Sequence, residues 1–141
     1  MKKYSTWLKV ASIVQFLTAG LHSLSLFAKP VPQNDTEKQL LDLMKNYKLD
    51  FGGGFHHSMS EVVIALSACF SLVCLFGGLI NIYLLRKKTD ANVVKGVINI
   101  NLLVFGICFI LMLLFTFLPP IILSGLIVLT LGISRVAISR N

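Results

Sequence analysis

Three histidines and one glutamate, His22, His56, His57 and Glu61, are the residues whose types and spacing point to chemistry. His57 and Glu61 stand four apart, a spacing that shares one helix face. Two imidazole nitrogens and a carboxylate would suit a borderline metal such as zinc. His22 falls inside a long apolar run, where an ionisable side chain is a functional candidate by default. A neutral imidazole hydrogen-bonded to a serine or a backbone carbonyl is the simpler account of the same residue. Gln15 and Thr18 precede it at steps of three and four. The candidate ligand-binding set is therefore His22, Gln15, Thr18, His57 and Glu61, and the candidate metal set is His22, His56, His57 and Glu61. The H-E-x-x-H geometry, a phosphate loop, a nucleophile elbow and a Rossmann fingerprint do not occur. The catalytic residues and the cofactor thus stay unassigned. Cys69, Cys74 and Cys108 contain no C-x-x-C pair, which argues against a disulfide-generating oxidoreductase.

The elements that must position these residues are four apolar runs, over residues 7–28, 60–85, 94–118 and 120–138. A helix needs roughly 20 apolar residues to cross a bilayer. Of the 141 residues, 55% are hydrophobic and 13% charged, against about a quarter charged in a soluble domain. These features predict an all-α integral membrane protein of four transmembrane helices in a single domain, residues 1–141. The fourth run is the shortest, and Arg135 must snorkel to the inner headgroups for its helix to finish the crossing.

The basic residues orient the chain. Lys2, Lys3, Lys9, Arg86, Lys87, Lys88, Lys95, Arg135 and Arg140 flank the runs on one side, nine in all, while Lys29, Lys38, Lys45 and Lys48 lie on the other. Short loops rich in Lys and Arg stay cytoplasmic, so both termini are expected inside a multi-pass protein of the cell inner membrane. A net charge of +7 placed at the ends of apolar runs meets lipid headgroups and does not imply nucleic acid. A secretory signal is the other account of the first run, but that run exceeds the usual h-region and lacks a good small-x-small site at Ala28.

The outer loop, residues 29–59, is polar but patterned. Asn34 followed by Glu37 reads as a capping box. Leu40, Leu43, Met44 and Tyr47 then recur at helical spacing, predicting a short amphipathic helix that either lies in the outer interface or caps the bundle. Gly52, Gly53 and Gly54 end it, with the positive φ that a sharp re-entry needs.

Within the spans, polar and small residues form stripes: Ser12, Gln15, Thr18, His22 and Ser25 in the first, and His57, Ser60, Ser67, Ser71, Cys74, Gly78 and Asn81 in the second. Such stripes face protein and permit close helix approach. Gly20, Gly78, Asn81, Asn99 and Gly106 are the expected packing residues, with Asn81 and Asn99 at similar depth and within hydrogen-bonding prospect of each other.

The stretch Phe16-Leu17-Thr18-Ala19-Gly20-Leu21-His22-Ser23-Leu24, ending the first of four spans, resembles the corresponding helix of the DoxX-like membrane proteins. That resemblance implies a small four-helix subunit, some members being associated with quinone-linked oxidation of sulfur compounds, and it directs interest to Gly20 and His22. The expected function is a non-catalytic subunit or hydrophobic-ligand-binding module of a membrane complex. The alternative is a membrane enzyme or redox subunit using an outer His/Glu pocket for a metal or quinone-like ligand. The expected partners are the lipid bilayer and either another membrane protein or a second copy of the chain.

Overall fold

The computed structural model describes residues 3–28 and 30–140. Lys2 and Lys29, which enter the charge argument, and the side chain of Ser25 lie outside the described residues. The described residues form five helices and one short hairpin: α1 (Lys3–Ser25), α2 (Asp35–Asn46), β1 (Lys48–Asp50), β2 (His56–Ser58), α3 (Met59–Arg86), α4 (Ala91–Phe115) and α5 (Leu118–Ser139). Three of them, α3, α4 and α5, are long and apolar enough to cross a membrane. Lys9, Ser12, Gln15, Thr18 and His22 dilute the hydropathy of α1, which is not among those three. The chain divides into two compact units, Met1–Ala19 with Val73–Asn141, and Gly20–Leu72.

In the first unit each helix buries one stripe. On α1 the buried residues are Tyr4, Leu8, Ala11, Ser12, Gln15, Thr18 and Ala19; on α4 they are Val94, Ile98, Asn101 and Phe105. Their steps of three and four match the helical repeat. The helix α5 buries Ser124, Ile127, Thr130, Leu131, Ser134 and Ile138 and packs along α4. The last helix begins ahead of the 120–138 run, taking in Leu118 and Pro119. Phe117 is the N-cap of α5, and Pro119 falls in the first turn, where a missing N–H costs nothing because helix-start amides have no intrahelical acceptor. This placement gives α5 a length of 22 residues, about 33 Å at 1.5 Å per residue. The Arg135 guanidinium Nε donates to Asn99 Oδ1 at 2.6 Å, and its Nη1 donates to the Ser139 hydroxyl.

The second unit is built from local contacts. Asn34 caps α2, its side-chain oxygen accepting the Glu37 N–H at 2.8 Å. Glu37 completes the motif one residue further out than expected, accepting the Gln33 N–H at 2.7 Å. The helix ends at Tyr47, and β1 pairs antiparallel with β2, Lys48 opposite Ser58 and Asp50 opposite His56. Gly52, Gly53 and Gly54 all have positive φ, a backbone conformation that residues carrying Cβ adopt only with strain. The hairpin had no counterpart in the sequence expectations.

Candidate functional site

The buried polar centre of the first unit is a chain of three side-chain amides. Gln15 comes from α1, Asn81 from α3 and Asn101 from α4. Asn101 Nδ2 donates to Asn81 Oδ1 at 3.2 Å, and Asn81 Nδ2 donates to Gln15 Oε1 at 3.1 Å. Asn101 Nδ2 also reaches the Val97 carbonyl at 3.2 Å. Gln15 and Asn81 are fully buried, so each amide bond forms where water cannot compete. The chain has one open donor. Gln15 Nε2 is buried without an acceptor, and a buried donor left unmet carries a desolvation cost of about 1–3 kcal/mol.

Glycine makes this centre possible. A Cβ at Gly77 would stand 2.5 Å from Gln15 Nε2, 3.0 Å from the Phe105 ring and 3.2 Å from Asn101 Oδ1. One at Gly78 would stand 2.6 Å from the Phe16 ring. Gly78 therefore lies close against Phe16, whereas at Gly20 and Gly106 an added Cβ meets nothing within 4 Å. The close approach falls on Gly77, which the three-and-four stepping from Cys74 passed over in favour of Gly78.

The expected pairing of Asn81 with Asn99 is corrected. Asn101 takes that place, because two residues along a helix turn the side chain by about 200°, so Asn99 and Asn101 face opposite ways. Asn101 lies on the buried stripe with Ile98 and Phe105, and exposed Asn99 accepts from Arg135 instead.

In the second unit the histidines and Glu61 are placed by the hairpin and the first turn of α3. Ser58 Oγ accepts the Glu61 N–H at 3.3 Å, while Glu61 Oε2 accepts the Ser58 N–H at 2.8 Å. This is a reciprocal S-x-x-E capping box, legible in Ser58-Met59-Ser60-Glu61, and it gives Glu61 a structural role that the ligand assignment had missed. His57 Nδ1 lies 3.5 Å from the same carboxylate oxygen, with both side chains about half exposed. The His57 ring stacks near Phe55, ring centroids 6.4 Å apart. His56 is exposed on β2 across from Asp50. His22 is half-buried and meets the edge of Phe70, ring centroids 5.1 Å apart at 83°. Among the described residues no three His, Cys, Asp or Glu side chains gather as metal ligands would. Of His22, His56, His57 and Glu61, His57 and Glu61 are the two brought within ion-pair distance.

Several hydroxyls bond to the carbonyls of their own helices. Ser12 donates to the Leu8 carbonyl and Thr18, the other proposed ligand residue, to the Val14 carbonyl. Ser71, Ser124 and Thr130 do the same four residues back. Ser134 differs, donating across to the Tyr4 carbonyl at 3.0 Å and so tying α5 to α1. The three cysteines are free thiols, Cys74 buried and Cys69 exposed.

No protein-family model, curated protein or solved structure matches the chain.

Proposed function

We propose that the chain is a four-span protein of the inner membrane, both termini cytoplasmic, serving as a non-catalytic subunit or hydrophobic-ligand-binding module of a membrane complex. The observation that supports this is the inverted distribution of polarity. Gln15, Asn81, Asn101, Ser124, Thr130 and Ser134 are buried, while Leu72, Leu103, Leu114 and Phe115 are each more than 60% exposed. Water would drive the opposite arrangement; hydrocarbon tolerates the apolar surface and penalises the unbonded amide. The same inversion argues for α1 as the fourth span. It buries Ser12, Gln15 and Thr18 while exposing Ile13, Leu17, Leu21 and Leu24, and its 23 residues reach about 34 Å. The amphipathic α2 and the hairpin then belong to the outer loop.

A subunit or binding module is favoured over an enzyme because the groups suited to chemistry have structural partners, Glu61 as the cap of α3 and His57 beside it. Impermeant amine labelling of intact cells tests the topology: Lys38 and Lys48 should react, Lys87 and Lys88 should not, and the reverse pattern overturns the orientation. Mass spectrometry of the detergent-purified protein tests the role. A colourless, metal-free particle carrying another polypeptide, a second copy or an apolar ligand is expected. Stoichiometric metal or a chromophore lost on His57→Ala would instead establish the enzyme or redox subunit.

A further inference from the structure

The first unit contains a cavity of about 460 Å³ between the start of α1, the end of α3 and the start of α4. Leu84, Leu85 and Val94 give it apolar walls, and Ser5, Lys88 and Thr89 supply hydroxyls and a cation. We propose that this cavity seats the phosphate of an anionic phospholipid, with Lys88 as its counter-charge and the leucines against the lipid's glycerol and first methylenes. The inference rests on the membrane-spanning arrangement proposed above, which puts this basic end of the bundle at the inner headgroups.

Lys88 is the residue that singles out the cavity. It is the one non-glycine residue with positive φ among the described residues, at 51°. It occupies the position after α3 at which the Lys88 N–H donates to the Leu85 carbonyl and the Thr89 N–H to the Leu84 carbonyl. That double bond pattern is the helix ending in which glycine is strongly favoured, because a Cβ is strained there. A lysine therefore stands where glycine would be more stable, and it lines the cavity. The neighbouring charges are placed otherwise, and one of them, Asp90, sets a carboxylate on the same wall that a bound phosphate must share with Lys88. The Lys87 ammonium lies 6.0 Å from the Tyr83 ring centroid. Asp90, also on the cavity wall, accepts the Asn92 N–H at 2.8 Å as the N-cap of α4. Arg86 and Lys3, both exposed, add to the positive potential that draws anionic headgroups to basic segments beside a span. The paired chemistry of the walls, cation and hydroxyls with leucine and valine, matches a phosphodiester joined to hydrocarbon better than a freely soluble anion.

The test uses the whole chain in neutral detergent, with phosphatidylglycerol, phosphatidylcholine and glycerol 3-phosphate as probes, read by native mass spectrometry and thermal unfolding. Phosphatidylglycerol should bind and raise the unfolding temperature, with the other two at least tenfold weaker. Lys88→Gly should unfold at a higher temperature than wild type without lipid, because the strain is relieved, and yet bind phosphatidylglycerol at least tenfold more weakly. Lys87→Gln should bind as wild type. Equal binding of phosphatidylcholine, undiminished binding by Lys88→Gly, or an equal loss in Lys87→Gln would each overturn the seat. Glycerol 3-phosphate binding as tightly as the lipid would overturn the lipid assignment in favour of a soluble phosphate ester. Release of the protein from membranes by alkaline carbonate would instead count against the membrane-spanning proposal itself.

Discussion

The two units differ in the reach of their side-chain hydrogen bonds: both contain hydroxyls bonded within their own helices, but among the described residues the first alone adds bonds between distant parts of the sequence. In the first, side chains bond across long stretches of sequence: Gln15 with Asn81, Asn81 with Asn101, Ser134 with Tyr4, Arg135 with Asn99. In the second, the side-chain hydrogen bonds described close within four residues, as in the boxes at Asn34 and Ser58 and the turn in which Gly52 donates to Asp50. The difference follows from what surrounds each. Buried amides among apolar helices have no water to fall back on and must find one another. Exposed backbone at a helix start needs only the nearest carboxylate or hydroxyl. One unit is therefore held by tertiary amide bonds, and the other by caps and a hairpin.

The sharpest way to break that contrast is at the middle of the amide chain. Asn81→Leu removes both interhelical bonds and leaves Gln15 Oε1 buried without a donor, so we expect a loss of roughly 2–3 kcal/mol in unfolding measured in detergent. Gln15→Leu should cost less than Asn81→Leu, since it loses one bond and also removes the unmet Nε2 donor. Equal costs for the two would show that the Gln15 donor has an acceptor after all.

Gly77→Ala comes next, at about 1–3 kcal/mol, the usual cost of forcing a methyl into a filled core. The added carbon would meet Gln15, Phe105 and Asn101 within 3.2 Å. Gly106→Ala meets nothing within 4 Å and should be neutral or stabilising by up to ~1 kcal/mol, the helix-propensity gain. If Gly106→Ala proves as harmful as Gly77→Ala, a neighbour outside this chain packs on that glycine.

In the second unit the corresponding change is Glu61→Ala, which removes the acceptor of the Ser58 N–H and should lower the unfolding temperature by less than either core change. Glu61→Gln should retain most of that stability, because glutamine also serves at this position. A Glu61→Gln protein that keeps its fold but loses a bound metal or ligand would restore Glu61 to the site it was first assigned.

The same contrast explains what was legible in the sequence. The start of α2 could be read because Asn34 and Glu37 contain the whole interaction within one turn. The box at Ser58 was equally readable, but the spacing of His57 to Glu61 drew the carboxylate into a ligand set instead. The polar stripes showed that Gln15 and Asn81 face protein. They could not show that Asn101, and not Asn99, completes the chain, because that depends on how α4 is rotated about its axis, which its packing decides. Gly77 was hidden for the same reason: either glycine of Gly77-Gly78 keeps the stripe small, and only the position of Gln15 tells them apart. The hairpin pairs strands of three residues each, too short for alternation to register.

The smallest effect separates the two accounts of His22. Its imidazole presents to the edge of Phe70, and edge-to-face ring pairs contribute about 0.5–1.5 kcal/mol beyond simple burial. If that contact is the reason for a ring at this position, His22→Phe should stay close to wild type while His22→Leu falls by roughly that amount. A ligand or metal role predicts something else, because phenylalanine cannot donate, accept or coordinate. Both variants would then fold and both would lose the bound species. We expect the first pattern, since His57 and Glu61, the other members of the set, are held together by the cap of α3 and no third ligand joins them among the described residues. Unfolding of both variants in detergent, with the bound species weighed in the same samples, decides it; a His22→Phe protein of wild-type stability that has lost a ligand present in the parent would move His22 from packing to binding.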